Sequence, residues 1–75
     1  MYFSKGAKKE YPELLTPREL EILRLAGQQK SNKEIGEQLG ISKNTVERHR
    51  KNMLNRVGVT DMTTLLRIVQ MIGLL

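Results

Sequence analysis

The sequence predicts an all-α domain in which four helices form a bundle-like fold. Helix-start signals recur along the chain, apolar residues follow them at helical spacing, and no segment shows the alternation of a half-buried strand. A chain of 75 residues has room for one domain, which at this size buries about 60% of its unfolded surface. We expect residues 15–75 to form that domain, and the polar, irregular residues 1–14 to be a flexible N-terminal arm or linker.

The first helix is predicted over about residues 17–28. Thr16 can cap it, Pro17 suits the first helical position, where a backbone N–H is not needed, and Glu19 completes a capping box. An apolar stripe follows at helical spacing: Leu20, Ile22, Leu23 and Ala26.

The second and third helices are predicted to form a helix-turn-helix. Ser31 begins another capping box, Gly40 ends this short helix in a left-handed conformation, and Ser42 caps the longest periodic segment, residues 43–57. A short turn containing glycine between two helices is typical of the motif. Gly36, which has no side chain, is expected where the later helix crosses. The small core of the motif is expected to be Ile35, Leu39, Ile41 and Val46.

The fourth helix is predicted to begin after Asp61 and to end before Gly73. Its inner face is expected to hold Leu65, Ile68, Val69 and Ile72. Four further residues fall off that face: Leu66, Gln70, Met71 and Leu74. Exposed apolar residues on a small domain indicate a partner, although scattered surface residues of this kind are equally common.

Several classes of function are excluded by the composition. The chain has no cysteine and one histidine, so a metal site or a thiol nucleophile is not expected. A domain this small lacks room for a large substrate pocket, so we expect no enzyme and no cofactor. No apolar run approaches the roughly 20 residues that a membrane span needs. We therefore expect a soluble protein of the cytoplasm.

Positive charge is concentrated on the third predicted helix. The formal net charge of the chain is +5, and residues 43–56 contain five Lys or Arg residues against one Glu. Val46 and Met53 lie on one side of this helix, and Arg48 and Lys51 fall on the opposite side, together with Asn44 and Asn55. Arg and Lys donate to guanine and Asn pairs with adenine in the DNA major groove. Such a face is usually only solvated, but here the charge is almost all of one sign.

Further residues of the same helix suit other parts of DNA. Glu47 on the flank can accept from cytosine. Lys43 and Thr45, with the free N–H groups at the start of the helix, suit phosphates. His49 is expected to be a packing or phosphate-contacting group rather than a catalyst or metal ligand, and Arg50 falls toward the core with no assigned role.

Five short motifs resemble the LuxR-type, or GerE-like, DNA-binding domain over residues 15–75. They are LTPRE at 15–19, SNKEI at 31–35, LGIS at 39–42, TVxxH at 45–49 and VGV at 57–59. The resemblance implies a four-helix module, commonly the output part of a larger bacterial regulator, whose recognition helix at about 43–57 enters the major groove. Two departures stand out. Gln29 and Lys30 replace a glycine and an apolar residue, and Gly36 replaces an alanine, at a cost in helix propensity of up to about 1 kcal/mol.

The resemblance also implies roles for individual residues. Base-facing positions would be Glu47, Arg48 and Lys51. Phosphates would lie near Asn32, Lys33, Lys43, Asn44 and Thr45. The fourth helix would form a homodimer on paired half-sites, with the off-face residues named above at its interface, and RNA polymerase would be a candidate partner.

Two other functions remain open from the sequence. The basic face could bind an acidic protein, which would make the domain a helical interaction module. Residues 62–75 could lie on a membrane surface, but Arg67 is the single cation of that segment, which disfavours this hypothesis.

Overall fold

A computed structural model describes residues 14–75 of the chain. Within them the backbone forms four helices and no strand: α1 Pro17–Gly27, α2 Asn32–Leu39, α3 Lys43–Val57 and α4 Met62–Met71. The predicted all-α fold class is confirmed, and the first helix ends one residue earlier than predicted. The predicted arm over residues 1–14 lies outside the described residues except for Leu14, which packs half-buried against the core.

All four helices begin at the capping residue that the sequence predicts. In each case the side chain accepts the backbone N–H of the residue three positions on; the caps are Thr16, Ser31, Ser42 and Asp61. The first two caps are complete capping boxes. The N–H of Ser31 lowers the pKa of the Glu34 carboxyl, and the N–H of Thr64 lowers the pKa of Asp61, because both bonds favour the ionised acid.

One core holds the four helices together. Its buried apolar members come from every helix and from the segment before α1: Leu15, Ile22, Leu23, Leu25, Ile35, Val46, Met53, Leu65 and Val69. The third helix contributes Val46 and Met53, which lie two turns apart on one face. This face is therefore the side by which α3 is fixed in the domain.

The turn between α2 and α3 depends on two glycines. A Cβ atom added to the buried Gly36 would lie 2.6 Å from the carbonyl oxygen of Ile41, which confirms that this residue sits where the chain passes closely. Gly40 ends α2 with φ of 74°, in the left-handed conformation that glycine adopts at little cost. Ile35 and Val46 are buried, and Leu39 and Ile41 pack half-buried against them, so the predicted core of the motif is confirmed.

The connection between α1 and α2 contains a strained residue. Gln29 has φ of 69°, and it is the single non-glycine residue with positive φ in the described part of the chain. The N–H of Lys30 donates to the carbonyl of Leu25 at 3.2 Å, which closes the connection over the end of α1. A residue with a Cβ atom pays roughly 1–2 kcal/mol in this conformation.

The fourth helix is rotated relative to the prediction. Leu66 packs half-buried against the core, because Gly27 lets α1 approach closely; a Cβ atom on Gly27 would lie 2.7 Å from a methyl group of Leu66. Leu74 also packs there, after a turn in which its N–H donates to the carbonyl of Val69 at 2.9 Å. The prediction that Leu66 and Leu74 project away from the domain is therefore wrong, whereas Gln70 and Met71 are exposed as expected.

Two predicted core residues of α4 are displaced by this rotation. Ile68 and Ile72 are half-buried and are not among the apolar side chains that pack on the buried core of the described residues. With Met71, which is 79% exposed, they place apolar surface on one flank of α4. None of the helices in the described part is long and apolar enough to cross a membrane.

The strained residue gives a first prediction. Gln29→Gly should raise the free energy of unfolding by about 0.5–1 kcal/mol. Glycine adopts positive φ without steric strain, and the relief of that strain should exceed the larger conformational entropy that glycine loses on folding. Urea unfolding followed by circular dichroism measures the change. Gln28→Gly is the matched control, since Gln28 has φ of −87° and glycine should bring no gain there. Equal effects of the two substitutions would contradict the argument.

Candidate nucleic-acid interface

The exposed face of α3 carries the three residues predicted to read bases. Val46 and Met53 are buried, whereas Glu47, Arg48 and Lys51 are exposed, and they lie within one turn of one another on the helix. Asn44 and Asn55 are exposed on the same side. The structure therefore gathers long cationic, acidic and amide side chains on one side of the 15-residue helix α3. A helix of this diameter, about 10–12 Å, fits the width of the major groove.

The start of α3 presents groups that suit a phosphate. Lys43 and Asn44 are exposed, and Thr45 is half-buried. The Ser42 hydroxyl accepts from the N–H of Thr45 at 3.0 Å and lies 2.8 Å from the Thr45 hydroxyl. Each hydroxyl has one proton to donate. When the Ser42 hydroxyl donates to the Thr45 hydroxyl, the proton of Thr45 is left to donate to a phosphate.

His49 lies half-buried on the flank of α3 that faces α1. With Thr45, Arg48 and Asn52 it lines a small notch of about 170 Å³. The exposed Asn52 was not predicted from the sequence, although it lies on the same helical stripe, seven residues after Thr45. The position of His49 fits both expected roles, packing and phosphate contact.

A buried carboxylate of α1 holds the last turn of α3. Glu19 is 3% exposed, and its two oxygens accept from the two terminal nitrogens of Arg56 at 2.6 and 3.0 Å. Arg56 also donates to the carbonyl of Leu14 at 2.9 Å. The sequence identified Glu19 as a capping residue alone, because nothing in the pattern links it to a residue 37 positions away.

The charge of Glu19 is stabilised despite its burial. Burial by itself acts to raise the pKa of the Glu19 carboxyl. The hydrogen bonds from Arg56 and from the N–H of Thr16, with the positive charge of Arg56, outweigh that effect, so the pKa of Glu19 lies below its usual value. The carboxylate is therefore ionised at neutral pH and pairs with Arg56.

A second polar tie joins α3 to α2. Arg50 donates from Nη1 to Oδ1 of Asn32 at 2.6 Å, and both side chains are half-buried. The sequence placed Arg50 near the core without a role and predicted Asn32 as a phosphate contact. Lys33, also predicted near a phosphate, is exposed beside Asn32 at the start of α2.

The five cations of α3 are therefore divided between two tasks. Arg50 and the partly exposed Arg56 make hydrogen bonds to other helices or to the segment before α1, whereas the exposed Lys43, Arg48 and Lys51 make no side-chain hydrogen bond among the described residues. The charge available to a polyanion is smaller than the sequence count suggests, but it is concentrated on the outer face. Across the described part of the chain, no three His, Cys, Asp or Glu side chains come together as a metal site.

Comparison with known proteins identifies a family. Residues 13–69 match the model of the family described as bacterial regulatory proteins, luxR family. Transcriptional regulatory protein MctR of Rhizobium johnstonii is 43% identical over an alignment of 74 residues. The alignment covers 88% of this chain and 35% of MctR. Transcriptional regulatory protein LiaR of Bacillus subtilis is 53% identical over 51 residues, or 68% of this chain and 24% of LiaR.

A shorter relative matches over more of its own length. Spore germination protein GerE of Bacillus subtilis is 46% identical over 46 residues, which cover 61% of this chain and 62% of GerE. The chain thus spans about a third of MctR and a quarter of LiaR. No solved structure gives a significant match.

The buried ion pair gives a prediction for stability and its dependence on pH. Glu19→Gln should lower the free energy of unfolding at pH 7 by about 1–3 kcal/mol, since Arg56 keeps its charge but loses its carboxylate partner, and its partial exposure limits the loss. Because the folded-state pKa of Glu19 is lowered, the stabilisation is present above the ordinary pKa of about 4.5 and disappears as the pH falls through the folded value.

Urea unfolding between pH 7 and pH 3 measures both effects. The difference between Glu19→Gln and the unaltered chain should shrink as the pH falls below about 4.5. Glu21→Gln is the matched control, because Glu21 is exposed and pairs at 3.6 Å with Arg18 on the same helix. A constant difference across this pH range would show that the ion pair does not stabilise the fold.

Proposed function

The chain belongs to the luxR family of bacterial regulatory proteins, and from this premise we propose that it binds specific sites on double-stranded DNA with α3 in the major groove. The family is one of DNA-binding transcription regulators and not of enzymes. The observation that carries the proposal is the exposed stripe of Glu47, Arg48 and Lys51, opposite the buried Val46 and Met53.

Base recognition follows from the chemistry of this stripe. Arg48 can donate two hydrogen bonds to O6 and N7 of a guanine, and Lys51, three positions further along the helix, can donate to a neighbouring guanine. Glu47 can accept from the amino group of a cytosine and would repel a phosphate, so it suits a base edge better than the backbone. A mixed stripe of this kind favours particular base pairs.

Phosphate contacts would fix the helix in the groove. The exposed Lys43 and Asn44 lie at the N-terminus of α3, and Asn32 and Lys33 lie at the N-terminus of α2. Free N–H groups and the helix dipole favour an anion at both places. Thr45 and His49 complete the proposed set on the α1 side of α3. These contacts position the protein without reading sequence.

A homodimer on DNA is part of the proposal. The apolar flank of α4 formed by Ile68, Met71 and Ile72, with the exposed Gln70, offers the surface. The flank is small, so we expect pairing mainly when two half-sites on one duplex bring two copies together. Leu66 and Leu74, which were also predicted at the interface, are half-buried in the fold and contribute at most their exposed edges.

The chain would act as the output domain of a larger regulator. MctR and LiaR bear the name transcriptional regulatory protein and are about three to four times as long as the part that this chain matches. We propose a cytoplasmic location, where bacterial DNA lies, and RNA polymerase as a further partner. The segment over residues 1–14 would then link the domain to the rest of the regulator.

Two substitutions separate base reading from phosphate contact. A selection on random duplexes first yields the preferred site. Arg48→Ala should then cost about 1–3 kcal/mol on that site and relax preference at one base pair. Lys43→Ala should weaken binding to all duplexes alike and reduce the slope of log affinity against log salt by about one unit.

Fluorescence anisotropy at several salt concentrations measures these changes. Identical behaviour of the two variants on every sequence would contradict the division into base readers and phosphate contacts. Arg67→Ala is a matched control, because Arg67 is an exposed cation on α4 and should change neither specificity nor the salt slope by as much.

Dimerisation gives a further prediction. Met71→Lys should abolish cooperative binding to a duplex with two half-sites, because a charge would enter the apolar flank, and should leave affinity for one half-site within about threefold. Thr63→Lys adds the same charge at an exposed position of α4 and should keep cooperativity. Sedimentation that shows a single copy on the two-site duplex for the unaltered chain would contradict the dimer.

A further inference from the structure

Arg50 is a cation on the core side of α3 whose partner is an uncharged amide. Its Nη1 donates to Oδ1 of Asn32 at 2.6 Å, and this bond joins the middle of α3 to the first residue of α2. The two residues are 18 positions apart in the sequence. The bond therefore crosses the helix-turn-helix between its two helices.

The chemistry of this bond fixes which end of the Asn32 amide faces the protein. A guanidinium group carries donors and no acceptor, so the amide atom that meets Arg50 must be the oxygen. The amide nitrogen then points away from Arg50. Among the described residues it makes no hydrogen bond, and no buried side-chain nitrogen or oxygen lacks a partner, so this nitrogen reaches solvent.

The orientation matters because the two ends of an amide act oppositely on a phosphate. The nitrogen has two N–H donors, which a phosphate oxygen accepts, whereas the oxygen of the amide repels it. An asparagine without a partner can turn either end outward. Arg50 selects the end that a phosphate needs, beside Lys33 and the free N–H groups at the start of α2. The nearby Glu34 carboxylate is turned back to the N–H of Ser31 at 2.8 Å.

We propose that Arg50 is a positioning residue for DNA binding: it does not contact DNA, and it holds the Asn32 amide so that the N–H donors face a phosphate. This inference rests on the proposed function, because it requires DNA at the exposed face of α3 and at the start of α2. It gives Arg50 a role that differs from those of the exposed cations Arg48 and Lys51.

A double-mutant cycle tests the coupling. Asn32→Ala should weaken binding to the selected duplex about tenfold, through loss of a hydrogen bond to a charged group. Arg50→Met keeps most of the apolar stem of the side chain and should weaken binding about three- to tenfold. In the Asn32→Ala background, Arg50→Met should change the affinity less than twofold, because its effect passes through the amide.

The salt dependence of binding distinguishes positioning from direct contact. If Arg50 acts through Asn32, Arg50→Met should leave the slope of log affinity against log salt unchanged, since an uncharged amide releases no counterion. A slope reduced by about one unit, with a loss of affinity that persists in the Asn32→Ala background, would show that Arg50 binds a phosphate itself. That result would overturn the proposal.

Asn32→Asp provides a test that does not depend on how well Arg50→Met folds. Aspartate keeps the bond to Arg50 as an ion pair at a helix start, so unfolding should occur at the same or higher urea concentration. Its second oxygen faces outward, so DNA affinity should fall by more than in Asn32→Ala. Gln28→Glu adds the same charge at an exposed residue after α1 and should weaken binding less.

The outcomes separate failure of the inference from failure of the proposed function. Unaltered affinity of Asn32→Asp, or additive losses in the double-mutant cycle, would overturn the role of Arg50 while Arg48→Ala still relaxes specificity. If Arg48→Ala and Lys43→Ala also had no effect on binding, the proposed mode of DNA binding would itself be wrong.

Discussion

The burial of Val46 and Met53 is the interaction on which the rest of the structure depends. They are fully buried and lie two turns apart, so they fix α3 along its length and in rotation. Every exposed residue of the proposed DNA surface follows from that rotation. In a domain of this size the total stability is only a few kcal/mol, and truncation of Met53 to alanine would remove about 2–5 kcal/mol. The rotation of the proposed DNA-binding face is thus specified mainly from the buried side of α3.

Polar bonds add what apolar burial cannot supply, which is direction. Arg56 ties the last turn of α3 to α1 through Glu19, and Arg50 ties its middle to α2 through Asn32. The sequence pattern places Arg50 toward the core without a role and gives no position to Arg56, so it predicts neither bond. A guanidinium bonded to the buried carboxylate of Glu19 or to the half-buried amide of Asn32 contributes to the fold, whereas a cation with no such partner remains available to a polyanion. Substitutions of these two arginines therefore differ in physical meaning from substitutions of the exposed cations.

Most of the fold could be predicted from local sequence, and most of the tertiary pairing could not. Thr16, Ser31, Ser42 and Asp61 cap as predicted because capping needs only neighbours three positions away. The bond of Glu19 to Arg56 depends on how α1 and α3 pack, which no local pattern contains. The predicted orientation of α4 is wrong for the same reason. Gly27 lets Leu66 approach α1, and periodicity alone treats all apolar residues as equal. The roles of individual residues toward DNA remain predictions.

The costs accepted around α2 indicate that the helix-turn-helix is stable as a unit rather than helix by helix. Gly36 lowers helix propensity by about 1 kcal/mol inside an eight-residue helix, and Gln29 occupies a left-handed conformation just before it. A helix this short is marginal alone, so α2 must draw its stability from α3, through the close passage at Gly36 and the bond from Arg50. A phosphate bound at the start of α2 would therefore contact a helix that is held in place by α3, and the two proposed contacts with DNA would keep a fixed spacing.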